Sequence, residues 1–289
     1  MSDTPQKQAA PSGKPDLATI GGLLLAAVGI LGGLLLDGGK ITDVAQITAA
    51  MIVLGGTAGA VMVTTPLHLL ISAVKKLTLI FWDRAPSVGD AIDQIIGYAT
   101  HARSHGIVSL DTEVEKIQDP FLKKALMLAV DGTDLQDLRT MMELEIQMEE
   151  QHGEGEAKVF EAAGGYAPTI GIIGAVLGLI QVMKHLENID EVGRGIAVAF
   201  VATVYGVASA NILFLPTANK IRARLQRAIR TKEMMLEGVC NIAEGLNPKL
   251  IRLRLDAYLR DEPKAKSSAA ADKPAAGAAA DMQAESSGA

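Results

Sequence analysis

Residues 162–183 read AAGGYAPTIGIIGAVLGLIQVM, a stretch without a single acidic or basic side chain. Three other apolar stretches lie at 17–36, roughly 45–72 and 195–215, and His68 is the one acidic or basic side chain among them. At about 1.5 Å per helical residue, each stretch is long enough to cross a hydrocarbon core of about 30 Å. Soluble helices are rarely apolar on every side over this length. The sequence therefore predicts an all-α protein with four transmembrane helices.

The polar residues lie outside these spans, so that the 49% hydrophobic and 21% charged residues are separated into blocks. The turns within each pair of spans are short, whereas a long charged segment separates the two pairs. We therefore predict two membrane hairpins and a helical polar domain between them. The expected divisions are an N-terminal segment 1–16, a hairpin 17–72, a polar domain 73–161, a second hairpin 162–216, a helical extension 217–260 and a disordered tail 261–289.

Basic residues beside the span ends predict the orientation of the chain. They all fall on one side of the predicted membrane, which the positive-inside rule assigns to the cytoplasm. Both termini and the polar domain are therefore expected in the cytoplasm. These residues are Lys7, Lys14, Lys75, Lys76, Lys220, Arg222, Arg224 and Arg227.

Turn and capping signals predict several helices in the polar domain. Gly106 is expected to end one helix, and Ser109 to cap the next. Asp119 precedes a proline, which is typical of a helix start, and Gly132 is expected to close that helix. The segment Thr133–Gln136 matches a capping box that opens a long acidic helix to about residue 151. Its glutamates, and Lys123 and Lys124, are interpreted as solvated faces.

Several functional classes find no support in the composition. The formal net charge of −6 does not indicate a basic surface that would bind nucleic acid. Cys240 is the single cysteine, so the chain cannot form an internal disulfide. We find no nucleotide-binding loop, metal cluster or catalytic constellation, so we expect neither an enzyme nor a cofactor. A membrane protein that carries ions usually keeps an ionisable group at membrane depth. If this chain handles ions, we therefore expect a second protein to supply the carboxylate.

The second hairpin contains the candidate functional residues. Pro168 and Pro216 each remove a helical hydrogen bond and are interpreted either as structural kinks or as a hinge. Thr203 shares a helix face with Gly206, and such a mildly polar face can line an ion path; alternatively, its hydroxyl bonds its own backbone. The remaining polar side chains of the fourth span are Tyr205, Ser209 and Asn211.

Two small-residue motifs and one pair of charges complete the set. Gly55-x-x-x-Gly59 and Gly174-x-x-x-Gly178 predict close helix packing, within the chain or between identical subunits. Arg103 ends one predicted helix and Asp111 begins the next. These charges either complement the helix dipoles or form a docking surface.

In this arrangement several motifs resemble the flagellar stator A-subunit family, the MotA and PomA proteins. The resemblance covers residues 17–260. The motifs are Ala102-Arg103 followed by Gly106-Ile107-Val108-Ser109-Leu110-Asp111; Asp119-Pro120-Phe121-Leu122; Val130-Asp131-Gly132; Ala167-Pro168 followed by Gly171-Ile172-Ile173-Gly174; and Thr203 followed by Tyr205-Gly206.

The resemblance implies a multi-pass protein of the bacterial inner membrane, in which five copies ring two single-span B-subunits. The membrane aspartate of the B-subunit would bind the ion, and ion flow would drive the rotor protein FliG. Arg103 and Asp111 match the rotor-facing charges of the family. Pro168 and Pro216 match its two functional prolines, and Thr203 matches its ion-path threonine.

Two departures from the family pattern bear on mechanism. Asp111 stands where a glutamate is usual, which keeps the charge but shortens its reach. Ala175 stands where sodium-driven members tend to carry a hydroxyl, which favours protons over sodium. An ExbB/TolQ-type energiser of outer-membrane processes is an alternative, although that family resembles three spans in a different order. A secondary transporter predicts inverted repeats and intramembrane charges, and we see neither.

Overall fold

The computed structural model describes residues 14–79, 82–83 and 88–259. Most of the predicted N-terminal segment 1–16 and the whole predicted tail 261–289 lie outside the described residues. The first half contains β1 (Lys14–Pro15), α1 (Leu17–Leu36), α2 (Ile41–Val44), α3 (Ile47–Ala50), a π-helix (Met51–Gly55), α4 (Gly56–Thr64), α5 (Leu67–Leu79) and β2 (Trp82–Asp83). The second half contains α6 (Val88–His105), a 3₁₀-helix (Ile107–Leu110), α7 (Asp111–Val114), α8 (Pro120–Val130), α9 (Leu135–Lys184), α10 (Ile189–Ala208), a π-helix (Ser209–Phe214), α11 (Leu215–Ala243) and α12 (Pro248–Leu259).

The all-α prediction is confirmed, with one small addition. The two-residue strands β1 and β2 pair antiparallel, Lys14 opposite Asp83. Within the described ranges, four helical segments are long and apolar enough to cross a membrane, as predicted. They are Leu17–Leu36, Ile47–Thr64, and the apolar parts of Leu135–Lys184 and Ile189–Ala243.

The second span ends earlier than its apolar stretch suggests. Thr65 has an extended backbone, with ψ of 132°, and separates α4 from α5. The cause is Pro66, because the ring of a proline disfavours helical geometry at the preceding residue. His68 consequently lies in α5, beyond the break, and not within the span.

The third span is continuous with the acidic helix before it. The prediction that this helix ends near residue 151 is wrong, because α9 runs unbroken for 50 residues through Gly153 and Gly155. These glycines lie under large side chains. A Cβ at Gly153 would lie 2.6 Å from Leu225, and one at Gly155 would lie 3.3 Å from Leu69. They allow α11 and α5 to approach α9 closely.

The local capping predictions have mixed outcomes. Asp119 caps α8, accepting hydrogen bonds from the amides of Phe121 and Leu122 at 3.0 Å. Gly106 and Gly132 have φ of 85° and 75° and end their helices as predicted. Two predictions are wrong. The N-cap of α9 is Asp134, one residue after Thr133. Ser109 is no cap, because it lies inside the 3₁₀-helix and donates to the Gly106 carbonyl.

The polar domain packs around one hydrophobic core. Its fully buried side chains come from α6, α8, α9, α11 and α12 and include Ile95, Phe121, Leu126, Met142, Met234 and Leu255. The acidic face of α9 is partly exposed, as interpreted, and it also makes ion pairs with other helices. Glu149 pairs with Lys232, Glu145 with Lys124, and Arg222 with both Glu154 and Glu161. Helices α9 and α11 therefore connect the membrane hairpin to this domain as a cross-linked pair.

Candidate functional site

Helices α9 and α10 approach each other closely enough for backbone contact. A Cβ at Gly206 would lie 2.6 Å from the carbonyl oxygen of Ala167 and 3.1 Å from the Cα of Gly171. At the far end of the hairpin, a Cβ at Gly178 would lie 2.8 Å from the carbonyl oxygen of Gly195. Small residues at these positions thus set the distance between the two helices.

The two Gly-x-x-x-Gly motifs behave differently. Gly174 and Gly178 are buried, and Gly174 lies against Ala202 and Ile52. They serve packing within the chain. Gly55 and Gly59 are exposed, and a Cβ added at either would have no neighbouring atom within 4 Å. Packing of the second span against α9 uses Gly56, where a Cβ would lie 2.7 Å from Ile170.

The two predicted hinge prolines occupy different surroundings. Pro168 lies inside α9 at its closest contact with α10, where a Cβ at Gly206 would lie 3.2 Å from the Cα of Pro168. Pro216 is the second residue of α11, which begins directly after the π-helix Ser209–Phe214. Because proline has no amide hydrogen, the carbonyl oxygen four residues before Pro216 loses its helical hydrogen-bond donor. A π-helical turn is one way in which a helix accommodates such a carbonyl, and π-turns are frequent at functional positions.

Thr203 lies on the α10 surface that faces α9. Its Cα is 3.5 Å from where a Cβ of Gly171 would stand, and its hydroxyl donates to the Ala199 carbonyl at 3.2 Å. The hydroxyl thus bonds its own helix, one of the two alternatives from the sequence, while its half-buried side chain remains beside the α9 surface. Ala175, also half-buried, lies one helical turn beyond Gly171. The ion-path role of both residues stays a prediction.

Tyr205 makes a long-range contact that no sequence pattern indicated. Its hydroxyl donates to the carbonyl oxygen of Val44 at 2.5 Å and accepts from the amide of Gln46 at 3.4 Å. These bonds satisfy backbone groups in the segment that precedes α3. Tyr205 therefore fixes the start of the second span against α10, and its predicted place in the ion path stays a prediction.

The predicted charged turn is exposed. Arg103 lies in the last turn of α6 and Asp111 is the first residue of α7, so both stand where the helix dipoles favour them. Both side chains are exposed, and within the described chain neither has an ion pair or hydrogen bond. Val108, between them, is 69% exposed. The turn thus presents two unpaired charges and an apolar side chain to the solvent.

Sequence reasoning missed two ion-paired carboxylates near the span ends that lie toward the α6–α8 domain. Glu156 of α9 is 1% exposed and bonds Ser72 and Lys76 of α5, with His152 at 3.6 Å. The only sequence pattern that could have pointed to Glu156 is His152, which lies four residues earlier in the chain. No group of three or more His, Cys, Asp or Glu side chains suited to a metal occurs among the described residues.

Asp16 is the second of these carboxylates. It caps α1 through the Thr19 amide and pairs with Lys220 at 2.5 Å and Arg224 at 3.2 Å. Burial on its own would raise the pKa of the Asp16 carboxyl, but the hydrogen bonds from Lys220, Thr19 and Arg224 outweigh it and lower the pKa to about 2. The ionised carboxylate therefore holds the start of the first span to α11.

We expect Asp16→Asn to lower the melting temperature of the purified protein at pH 7. Because the folded pKa of about 2 lies below the ordinary value of 3.8, the contribution of Asp16 is present above about pH 4 and is lost as the pH falls toward 2. The melting-temperature difference between wild type and variant should shrink over that window. A difference that stays constant from pH 5 to pH 2 would contradict the assignment.

The chain is similar to a known protein family, to curated relatives and to solved structures. Residues 113–234 match the model of the MotA/TolQ/ExbB proton channel family. The chain is 35% identical to motility protein A of Bacillus subtilis over 250 residues, which cover 84% of this chain and 91% of that protein. It is similar to a chain in the structure of C. jejuni MotAB, with a TM-score of 0.82 and 33% identity over 86% of this chain and 98% of the other. A chain of the flagellar MotAB stator complex of Bacillus subtilis gives a TM-score of 0.78 and 33% identity, covering 83% and 95%.

Proposed function

The chain belongs to the flagellar stator A-subunit family, within the MotA/TolQ/ExbB proton channel family, and from this membership we propose that it is a stator subunit of the bacterial flagellar motor. With a single-span, MotB-like B-subunit it forms an ion channel whose flux generates torque on the rotor. One observation carries the proposal: the α9–α10 contact around Gly171 and Gly206 is closely packed and contains no acidic or basic side chain. Such a surface can line an ion path but needs a carboxylate from another chain.

The proposed mechanism assigns a role to each part of the fold. The aspartate of the B-subunit carries the ion past Thr203, and Pro168 and Pro216 allow α9 and α10–α11 to adjust as it moves. Five copies of the chain surround two B-subunits in the inner membrane, with both termini in the cytoplasm. The paired helices α9 and α11 pass the motion to the polar domain, where Arg103 and Asp111 engage FliG. The ion pairs between α9 and α11 support this, because they resist sliding of one helix along the other.

We propose protons as the coupling ion. Ala175 offers a methyl group on α9 where a hydroxyl would add a ligand for sodium. Sodium is a hard cation that prefers several oxygen ligands, whereas a proton needs only one carboxylate. Sodium is the alternative, and measurements of conductance under imposed ion gradients separate the two ions.

Reconstitution into liposomes tests the proposal. The chain alone should be electrically silent, because its spans have no acidic group, and the chain with its B-subunit, freed of any segment that blocks the channel, should conduct. Conductance should follow an imposed pH gradient and not an imposed sodium gradient. Asp→Asn at the membrane aspartate of the B-subunit is the matched control and should abolish it. Cation conductance from the chain alone would overturn the proposal, and sodium-dependent conductance would overturn only the ion.

The ExbB/TolQ alternative is compatible with the family model, which includes both groups, but the number of spans favours the stator role. Four helical segments among the described residues are long and apolar enough to span a membrane, and the likeness to the two MotAB structures extends over more than four-fifths of the chain. Motility in a strain lacking its own A-subunit separates the two functions. Restored swimming supports the stator role, and restored outer-membrane transport without swimming supports the alternative.

A further inference from the structure

A cavity of ≈ 540 Å³ lies at the end of the second hairpin, on the side opposite the α6–α8 domain. It is a notch lined by the start of the second span, through Thr48 and Ile52, by the end of α9 and by the start of α10. Its floor is apolar and includes Ile52, Leu177 and Val198. Its rim is basic and includes Lys184, His185 and Arg194. The cavity thus combines an apolar interior with a cationic edge.

The two strongest cations of the rim are not neutralised within the chain. The side chains of Lys184 and Arg194 are exposed, and neither makes an ion pair or hydrogen bond with the part of the chain that the structure describes. Glu191 is the lone carboxylate of the described lining, and it is already engaged. Its oxygens face the His185 Nδ1 at 3.5 Å and the Asn188 side-chain amide at 3.3 Å. Among the side chains that line the cavity, Lys184 and Arg194 therefore outnumber the carboxylates.

The position of the cavity narrows the choice of occupant. Leu177 and Ile180 beside it are 45% and 43% exposed on a helix that is apolar enough to cross a membrane, so the apolar floor of the cavity lies at membrane depth. Lysine and arginine at the end of a membrane helix reach the headgroup region, where phosphate groups lie. Guanidinium and ammonium groups form strong charge-assisted hydrogen bonds with phosphate oxygens. Basic pockets between membrane helices are a known arrangement for lipid headgroups.

We propose that this cavity binds an anionic phospholipid from the leaflet opposite the α6–α8 domain. Lys184 and Arg194 hold the phosphate, and one acyl chain lies along Leu177 and Ile52. The bound lipid fills the notch between α3 and the hairpin. It adds to the Tyr205–Val44 bond in fixing the second span against α10.

Native mass spectrometry of the purified full-length protein tests this proposal. After delipidation, the protein is titrated with dioleoyl phosphatidylglycerol or dioleoyl phosphatidylcholine. The wild type should bind phosphatidylglycerol in preference to phosphatidylcholine, and Lys184→Ala/Arg194→Ala should weaken that binding about tenfold or more, since two charge-assisted contacts are lost. Lys184→Arg/Arg194→Lys keeps both charges and should retain the preference for phosphatidylglycerol.

Lys40→Ala is the matched control, because Lys40 is an exposed lysine at the same side of the membrane but outside the cavity. It should bind like the wild type. Three results would overturn the proposal: equal binding of the two lipids to the wild type, unchanged binding to the double alanine variant, or an equal loss with Lys40→Ala. Displacement of the lipid by millimolar inorganic phosphate would also overturn it, since the acyl chain would then contribute nothing.

Discussion

Replacing Gly206 by alanine is expected to abolish swimming and to lower the melting temperature of the purified protein by several degrees. The added Cβ would lie 2.6 Å from the carbonyl oxygen of Ala167, 3.1 Å from the Cα of Gly171 and 3.2 Å from the Cα of Pro168. All three neighbours are backbone atoms, so no side-chain rotation relieves the overlap. Overpacking of this kind typically costs about 1–3 kcal/mol, against a gain of about 1 kcal/mol in helix propensity. Helices α9 and α10 must therefore separate at the contact that brings Thr203 beside Gly171 and Gly206 beside Pro168.

The matched control is Gly193→Ala in the same helix. Gly193 is exposed and has no atom within 4 Å of an added Cβ, so the substitution brings only the gain in helix propensity. Swimming assays in a strain lacking the A-subunit, together with melting curves, separate the two variants. Normal swimming of the Gly206→Ala strain would show that close contact between the two helices is not needed for ion-driven rotation.

The parts of the fold that depend on local sequence were predictable. The spans follow from unbroken apolar runs, and Asp119 and Gly106 begin and end helices through contacts within a few residues. The errors have equally local explanations. The apolar residues continue past Pro66, so the sequence did not indicate that the second span ends there. The helix predicted to end near residue 151 continues through Gly153, which accommodates Leu225 of α11.

The contacts that position the site could not be predicted from the sequence, because they join residues that lie far apart in the chain. The Tyr205–Val44 bond and the Glu156–Lys76 pair depend on which helices are neighbours, and no spacing reveals that. The small residues of span three did predict close packing, but their partners Gly195 and Gly206 became evident only in the structure. The residue types of the site were therefore accessible from the sequence, and their pairing was not.

Arg103→Glu is the other substitution with a large expected effect, and it should abolish swimming with only a small loss of stability from the reversed charge at the end of α6. Arg103 is exposed and makes no ion pair or hydrogen bond within the described chain, so reversing its charge breaks no internal contact. Surface substitutions of this kind usually change the free energy of unfolding by about 0.5 kcal/mol or less. If Arg103 meets an acidic side chain of FliG, the reversal converts attraction into repulsion, which weakens the contact strongly. Swimming speed and the melting temperature of the purified protein measure the two effects separately.

The control and a rescue make this result specific. Lys249→Glu reverses an exposed lysine at the start of α12, away from the turn that carries Arg103 and Asp111, and should leave swimming intact. A lysine in place of the facing acidic residue of FliG should restore motility to the Arg103→Glu strain, because opposite charges meet again. If Arg103 serves only the dipole of α6, the substitution lowers the melting temperature and no change in FliG restores swimming. That outcome would assign Arg103 to the stability of the helix end and remove it from the rotor-facing surface.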